Sequence, residues 1–148
     1  MAEGILKKML KEREINYIQV SSAGTDSWGS CPASLSAREI GKSEEIDLKS
    51  HSSRKLTKEM LKEADLILVM SGNHLDHIRK LNEDSMGKSF LLSAFPHRSE
   101  NESFWIMDPI GGTWDDYRKC FLDLKEIMER IIPELIEIAK KKVQTPPR

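Results

Sequence analysis

The chain is poor in the residues that announce a protein class at once. Two cysteines among 148 residues are too few for a disulfide framework. They also stand in unlike settings, Cys31 in a Gly/Ser/Pro stretch and Cys120 within a helical pattern, so both are read as reduced thiols. Long apolar runs are missing. The longest, Leu66 to Met70, falls far short of the roughly 20 residues of a membrane span. The amino end lacks the charged-then-apolar order of a secretory signal. An excess of charge of one sign is missing too: with 23 Lys+Arg against 24 Asp+Glu and a net charge of -1, no global field draws the chain to nucleic acid or to an anionic membrane. These absences point to a cytoplasmic protein without nucleic-acid or membrane partners, and they confine any affinity for phosphate to a local site. No metal is expected either. His74 and His77 have ligand spacing on a helix, but no carboxylate or cysteine set completes a site.

What is present is an alternation of helix and strand patterns. A length of 148 residues suits a single domain over residues 1–148. Ile5, Leu6, Met9 and Leu10 share one face at helical spacing, opposite Lys7, Lys8, Lys11 and Glu12, so a helix is predicted from Ala2 to about Arg13. Ile15 to Val20 reads as a strand running into a Ser/Gly/Thr loop. A second helix is expected near Leu35 to Ile40, and Thr57 is placed to cap a third through Leu61 to Ala64. Leu66 to Met70 is apolar without alternation, the pattern of a parallel strand covered on both faces. Ser71 is expected to cap a helix from Gly72 to Leu81, and Ser89 to Leu92 forms a short strand. Ser93 to Ser103 reads as a surface loop.

The last third is one long apolar stripe: Tyr117, Cys120, Leu124, Ile127, Ile131, Leu135 and Ile138. Thr113 and Asp116 are spaced as a capping box at its start. Pro133, which lacks an N–H, is expected to bend or divide the helix. Residues 142–148 are expected to form a disordered tail. The alternation as a whole argues an α/β fold.

Five segments carry a resemblance. The chain opens on Met1-Ala2-Glu3-Gly4, followed by Ser22-Ala23-Gly24-Thr25, then His51-x-x-Arg54-x-Leu56-Thr57, the Ala64 to Met70 strand, and Asp108-Pro109-Ile110-Gly111-Gly112. In this order they resemble low-molecular-weight protein-tyrosine phosphatases over nearly the whole chain. In that family the Met-Ala-Glu run follows directly on a phosphate-binding loop, a Cys, five residues and then Arg-Ser-Pro. No such loop is found in these residues. Cys31 does not replace it, because six residues separate it from Arg38 and Pro32 follows it directly, so the thiol would not meet a ring of loop N–H groups closed by arginine.

The resemblance implies a three-layer, doubly wound parallel sheet flanked by helices, with the first, central strand and the phosphate loop absent from this chain and expected upstream of Met1. It implies a protein phosphatase working through a cysteinyl-phosphate intermediate, without a cofactor, on a phosphorylated protein or peptide. Asp108 matches the general acid that protonates the leaving group and then deprotonates water; the plainer reading of an Asp-Pro pair is a turn cap. Ser22 matches the serine that hydrogen-bonds the phosphate loop and holds it in shape, with a strand-end turn serine as the alternative. Trp28 and Ile110 match positions lining the entrance for substrate. His51 and Arg54 read as a solvated turn pair with no assigned chemistry.

Asp108 to Gly112 is more like the bacterial arginine-phosphatase branch than the eukaryotic tyrosine branch, so phosphotyrosine and phosphoarginine both stand as substrates. Without the loop, the chain by itself is expected to be inactive. A non-catalytic phosphatase-like binding domain is the main alternative. An arsenate reductase ranks last, since electron relay needs further cysteines and only Cys120 follows.

Overall fold

The computed structural model describes residues 1–26 and 29–144. Helix α1 (Ala2–Glu12) buries the predicted face, Ile5, Leu6, Met9 and Leu10. Helix α2 (Leu35–Ser43) is capped by the Ser34 side chain, which accepts from the Ala37 N–H at 3.3 Å. Helix α3 (Lys58–Glu63) is capped by Thr57 as expected, through the Met60 N–H at 3.3 Å. Strand β1 (Ile67–Val69) leads into α4 (Gly72–Leu81). Ser71 occupies the capping position there, but its side chain makes no cap hydrogen bond. Strand β2 (Ser89–Leu91) pairs with β1 in parallel, Leu68 opposite Phe90.

Helix α5 (Trp114–Gln144) supplies seven of the seventeen buried residues of the main core cluster. The capping box is real: the Thr113 N–H donates to Asp116 Oδ2 at 2.7 Å, and the Asp116 N–H donates to Thr113 Oγ1 at 3.3 Å. Two expectations about this helix are corrected. Pro133 does not divide it, because Ile131, Ile132 and Leu135 are buried on either side, and that packing outweighs one missing backbone bond. The helix also continues through Gln144, into the segment expected as a tail, with the Lys142 ammonium held by both oxygens of Asp65 at 2.6 and 2.7 Å.

The core is helical. Seventeen buried residues from α1, α2, α5 and the intervening loops make one cluster, and a smaller one joins β1, α4 and β2 around Leu61, Leu75, Ile78 and Leu91. Gly41 admits this packing: a β-carbon there would lie 2.8 Å from the Ile46 carbonyl oxygen.

The sheet differs most from expectation. Ile15 to Val20 is extended but pairs with no strand, and β1 has a partner on one side only. A strand needs a neighbour to satisfy its backbone groups, and none lies between the two segments. A groove of about 640 Å³, lined by Leu10, Ile15, Ile18 and Val20 with Lys7 and Lys11 at its edge, runs beside the unpaired segment.

Candidate active site

Function-bearing residues gather at the amino end of α1. Glu3, in the first turn, accepts a hydrogen bond from the Ser22 hydroxyl and one from Lys7 Nζ at 2.5 Å. His51 Nδ1 stands 3.9 Å from Glu3 Oε2. Burial pushes the Glu3 carboxyl up, but the hydrogen bonds from Lys7 and Ser22 and the neighbouring charges outweigh it, leaving Glu3 below the usual carboxylate range. Arg54 closes the arrangement from behind, Nε donating to the Ser22 carbonyl at 2.9 Å. The backbone does the same one step on: the Gly24 N–H donates to the Arg54 carbonyl and the Leu56 N–H to the Gly24 carbonyl, both at 2.9 Å. Ser22 therefore sits on a strap tied to the 51–56 segment, with its side chain turned to α1.

Asp108 lies on the loop before α5. That loop is anchored to the end of β1 through the Ile106 N–H to the Met70 carbonyl at 2.8 Å. Asp108 Oδ1 accepts the Ile110 N–H at 2.9 Å, so the carboxylate does cap a turn. Its Oδ2 has no hydrogen bond among the described residues, and the side chain is exposed. Gly111, at φ +75, takes the left-handed conformation that glycine adopts most readily. The Gly112 N–H closes the turn onto the Pro109 carbonyl at 2.9 Å.

Electrostatics tie this loop to its neighbours. Burial pushes the Cys120 thiol up, and Asp123 and Asp108 push it further, against the positive amino end of the chain. Burial pushes His74, in the first turn of α4, down, while Asp26 and Asp108 pull it back. Asp108, Cys120, His74 and the start of α1 thus share one neighbourhood.

Of the residues singled out from sequence, Ser22 bonds to Glu3 of α1 and Asp108 lies on the exposed loop before α5, with Ile110 exposed two residues on. Trp28 lies outside the described residues. Sequence reasoning gave Glu3 no role, left His51 and Arg54 as a solvated turn pair, and considered His74 only as a metal ligand. The signal for Glu3 was an acidic residue in a helix first turn beside a predicted phosphate site, and for His51 and Arg54 their place in the matching segment.

The structure thus presents a carboxylate on a braced, exposed loop and a Ser22–Glu3 pair at the amino end of α1. The chain belongs to the low molecular weight phosphotyrosine protein phosphatase family, whose model matches residues 1–145. It is 30% identical over 135 residues to the protein-arginine-phosphatase of Bacillus subtilis, covering 91% of this chain and 87% of the relative. It is 27% identical over 115 residues to the low molecular weight protein-tyrosine-phosphatase Etp of Escherichia coli, covering 78% and 74%. The solved low molecular weight protein tyrosine phosphatase of T. tengcongensis superposes with a TM-score of 0.81 at 28% identity, over 90% of this chain and 88% of that one. The family comprises phosphatases acting on phosphorylated proteins. No helix among the described residues is long and apolar enough to cross a membrane.

Proposed function

We propose that this chain forms the acid/base and substrate-facing part of a cytoplasmic protein phosphatase for phosphotyrosine or phosphoarginine, with Asp108 as general acid and base. The observation that carries the reading is the braced, exposed Asp108 loop, which has the Cys120 thiol as an electrostatic neighbour in common with the amino terminus, in a chain whose relatives include both tyrosine and arginine phosphatases.

In the reaction of this family a thiolate attacks phosphorus and the bond to the tyrosine oxygen or arginine nitrogen breaks. The leaving atom takes the Asp108 proton. Water then attacks the cysteinyl phosphate, and the Asp108 carboxylate accepts its proton as phosphate leaves. Ser22, oriented by Arg54 and bonded to Glu3, holds the wall of the site, and Trp28 and Ile110 contact the substrate.

The 148 residues contain no Cys-x5-Arg sequence, so the chain alone is proposed to lack the nucleophile. That same observation favours the second reading, a non-catalytic domain that binds phosphorylated proteins. The test joins a Cys-x5-Arg-Ser-Pro loop and its strand ahead of Met1 and measures turnover. The joined protein should hydrolyse aryl phosphates, and Asp108→Asn should lower the rate for poor leaving groups by about a hundredfold while sparing activated ones. Loss of equal size across leaving groups would make Asp108 structural, and no turnover at all would favour the binding domain.

A further inference from the structure

Four of the exposed large hydrophobic side chains fall in one short stretch, Phe104, Met107, Ile110 and Trp114, at 39%, 80%, 77% and 45% exposure. Asp108 lies in their midst. Water-facing apolar side chains are unremarkable singly, but a run of them marks an interaction site.

Their exposure is held by the backbone. The stretch is fastened at Ile106 to Met70, at Ile110 to Asp108, at Gly112 to Pro109, and at Thr113 to Asp116. Trp114, the first residue of α5, has the Arg118 guanidinium over its ring at 5.6 Å, a contact that fixes the orientation of an exposed aromatic. A preorganised indole beside a loop is the type of group that carries binding energy at protein interfaces.

We propose that Met107, Ile110 and Trp114, with Arg118 behind the indole, form an apolar rim that receives a large apolar side chain adjacent to the phosphorylated residue of a protein substrate. The inference rests on the reading of Asp108 as the group that meets the leaving atom. A polypeptide that brings its phosphorylated residue to Asp108 must lay its neighbouring residues on the side chains directly before and after it. A bare small-molecule phosphate would touch none of them, so the rim discriminates among protein substrates and not among phosphates.

The experiment titrates the 148-residue chain into two dye-labelled hexapeptides carrying a central phosphotyrosine flanked by Leu or by Gly, with phosphoarginine and unphosphorylated counterparts, and follows binding by fluorescence anisotropy of the peptide. The Leu-flanked peptide should bind about tenfold tighter, the scale of one interface anchor. Trp114→Ala and Met107→Ala should each remove most of that preference while leaving the Gly-flanked peptide unchanged. Trp114→Phe should restore part of it, and Val143→Ala, at the far end of α5, should do nothing. Thermal unfolding of each variant confirms that it is folded. Equal affinity for both peptides, a Trp114→Ala loss shared equally by both, or no saturable binding by either would overturn the rim. The Asp108 reading is tested apart from this, in the protein with a restored nucleophile loop: if Trp114→Ala still removes the preference for Leu there while Asp108→Asn slows all leaving groups equally, the rim stands and the general-acid reading fails.

Discussion

Replacing Gly72 with alanine tests how the Asp108 loop is seated. Gly72 opens α4, and a β-carbon there would lie 2.8 Å from Trp105 Cζ2, 3.2 Å from Cε2 and 3.3 Å from Nε1. The first distance is shorter than real β-carbon contacts, so something must move. The indole is not free to swing. The Trp105 backbone N–H is tied to the Glu102 carbonyl at 2.9 Å, the next residue is tied to Met70, and the ring packs on the cluster of Leu61, Val69 and Leu75. Overpacking of this kind costs about 1–3 kcal/mol, and alanine recovers at most about 1 kcal/mol of helix propensity over glycine. The net expectation is a loss of about 1–2 kcal/mol, which for a chain of this length lowers Tm by about 2–8 °C.

Denaturant and thermal unfolding measure this directly. Combining Gly72→Ala with Trp105→Phe, which removes the atoms in conflict, should recover about 1 kcal/mol relative to the sum of the single changes. In the protein with a restored nucleophile loop, Gly72→Ala should also lower turnover of poor leaving groups, because Asp108 follows three residues after the displaced ring. A Gly72→Ala protein as stable as its parent, with no coupling to Trp105, would refute the argument that this close approach seats the loop.

Three further outcomes are expected. The 148-residue chain should not turn over para-nitrophenyl phosphate; turnover that vanishes in Cys31→Ser would make Cys31 the nucleophile. Glu3, held below the ordinary value of about 4.3, contributes stability that is present above that value and lost as pH falls through the lower folded one. Glu3→Gln should therefore flatten the acid limb of a stability–pH curve between about pH 5 and 3, and an unchanged limb would contradict the Ser22–Glu3–Lys7 arrangement. His74 has the same sign in a higher pH window: burial lowers its folded value, so the unfolded chain protonates first and stability falls as pH drops below about 6.5. His74→Gln should lessen that fall, and a steeper one would show that Asp26 and Asp108 dominate over burial.

Much of the helical part was legible because its signals are local. The Ile5, Leu6, Met9, Leu10 face, the Thr57 cap and the Thr113–Asp116 box are set by spacing within a few residues, and each forms as read. The strand at Ile15 to Val20 was misread for a physical reason. Side-chain preference makes a segment extended, but only a neighbour's hydrogen bonds make it a strand. Pro133 was misjudged because its local penalty is small beside the burial of Ile131 and Ile132. Asp108 and Ser22 could be singled out because they stand in recognisable short runs, and their roles remain proposals. Glu3 and Arg54 were opaque because their partners lie 19 and 32 residues away, and such meetings follow from the tertiary fold and not from local pattern.

The length of α5 has a consequence for how the molecule breathes. At 31 residues it runs about 46 Å, and its middle, around Leu124, Met128 and Ile131, is sealed on α1 and α2. Amide hydrogen exchange should therefore be slowest there and in α1, reporting global unfolding, while β1 and β2, with three residues each, exchange through smaller openings. The Ser22 strap and the Asp108 loop then form a fast-opening fringe on a slow helical frame. A ligand gripping both would show itself first as slowed exchange at Gly24, Ile110 and Gly112, before any change in the frame beneath.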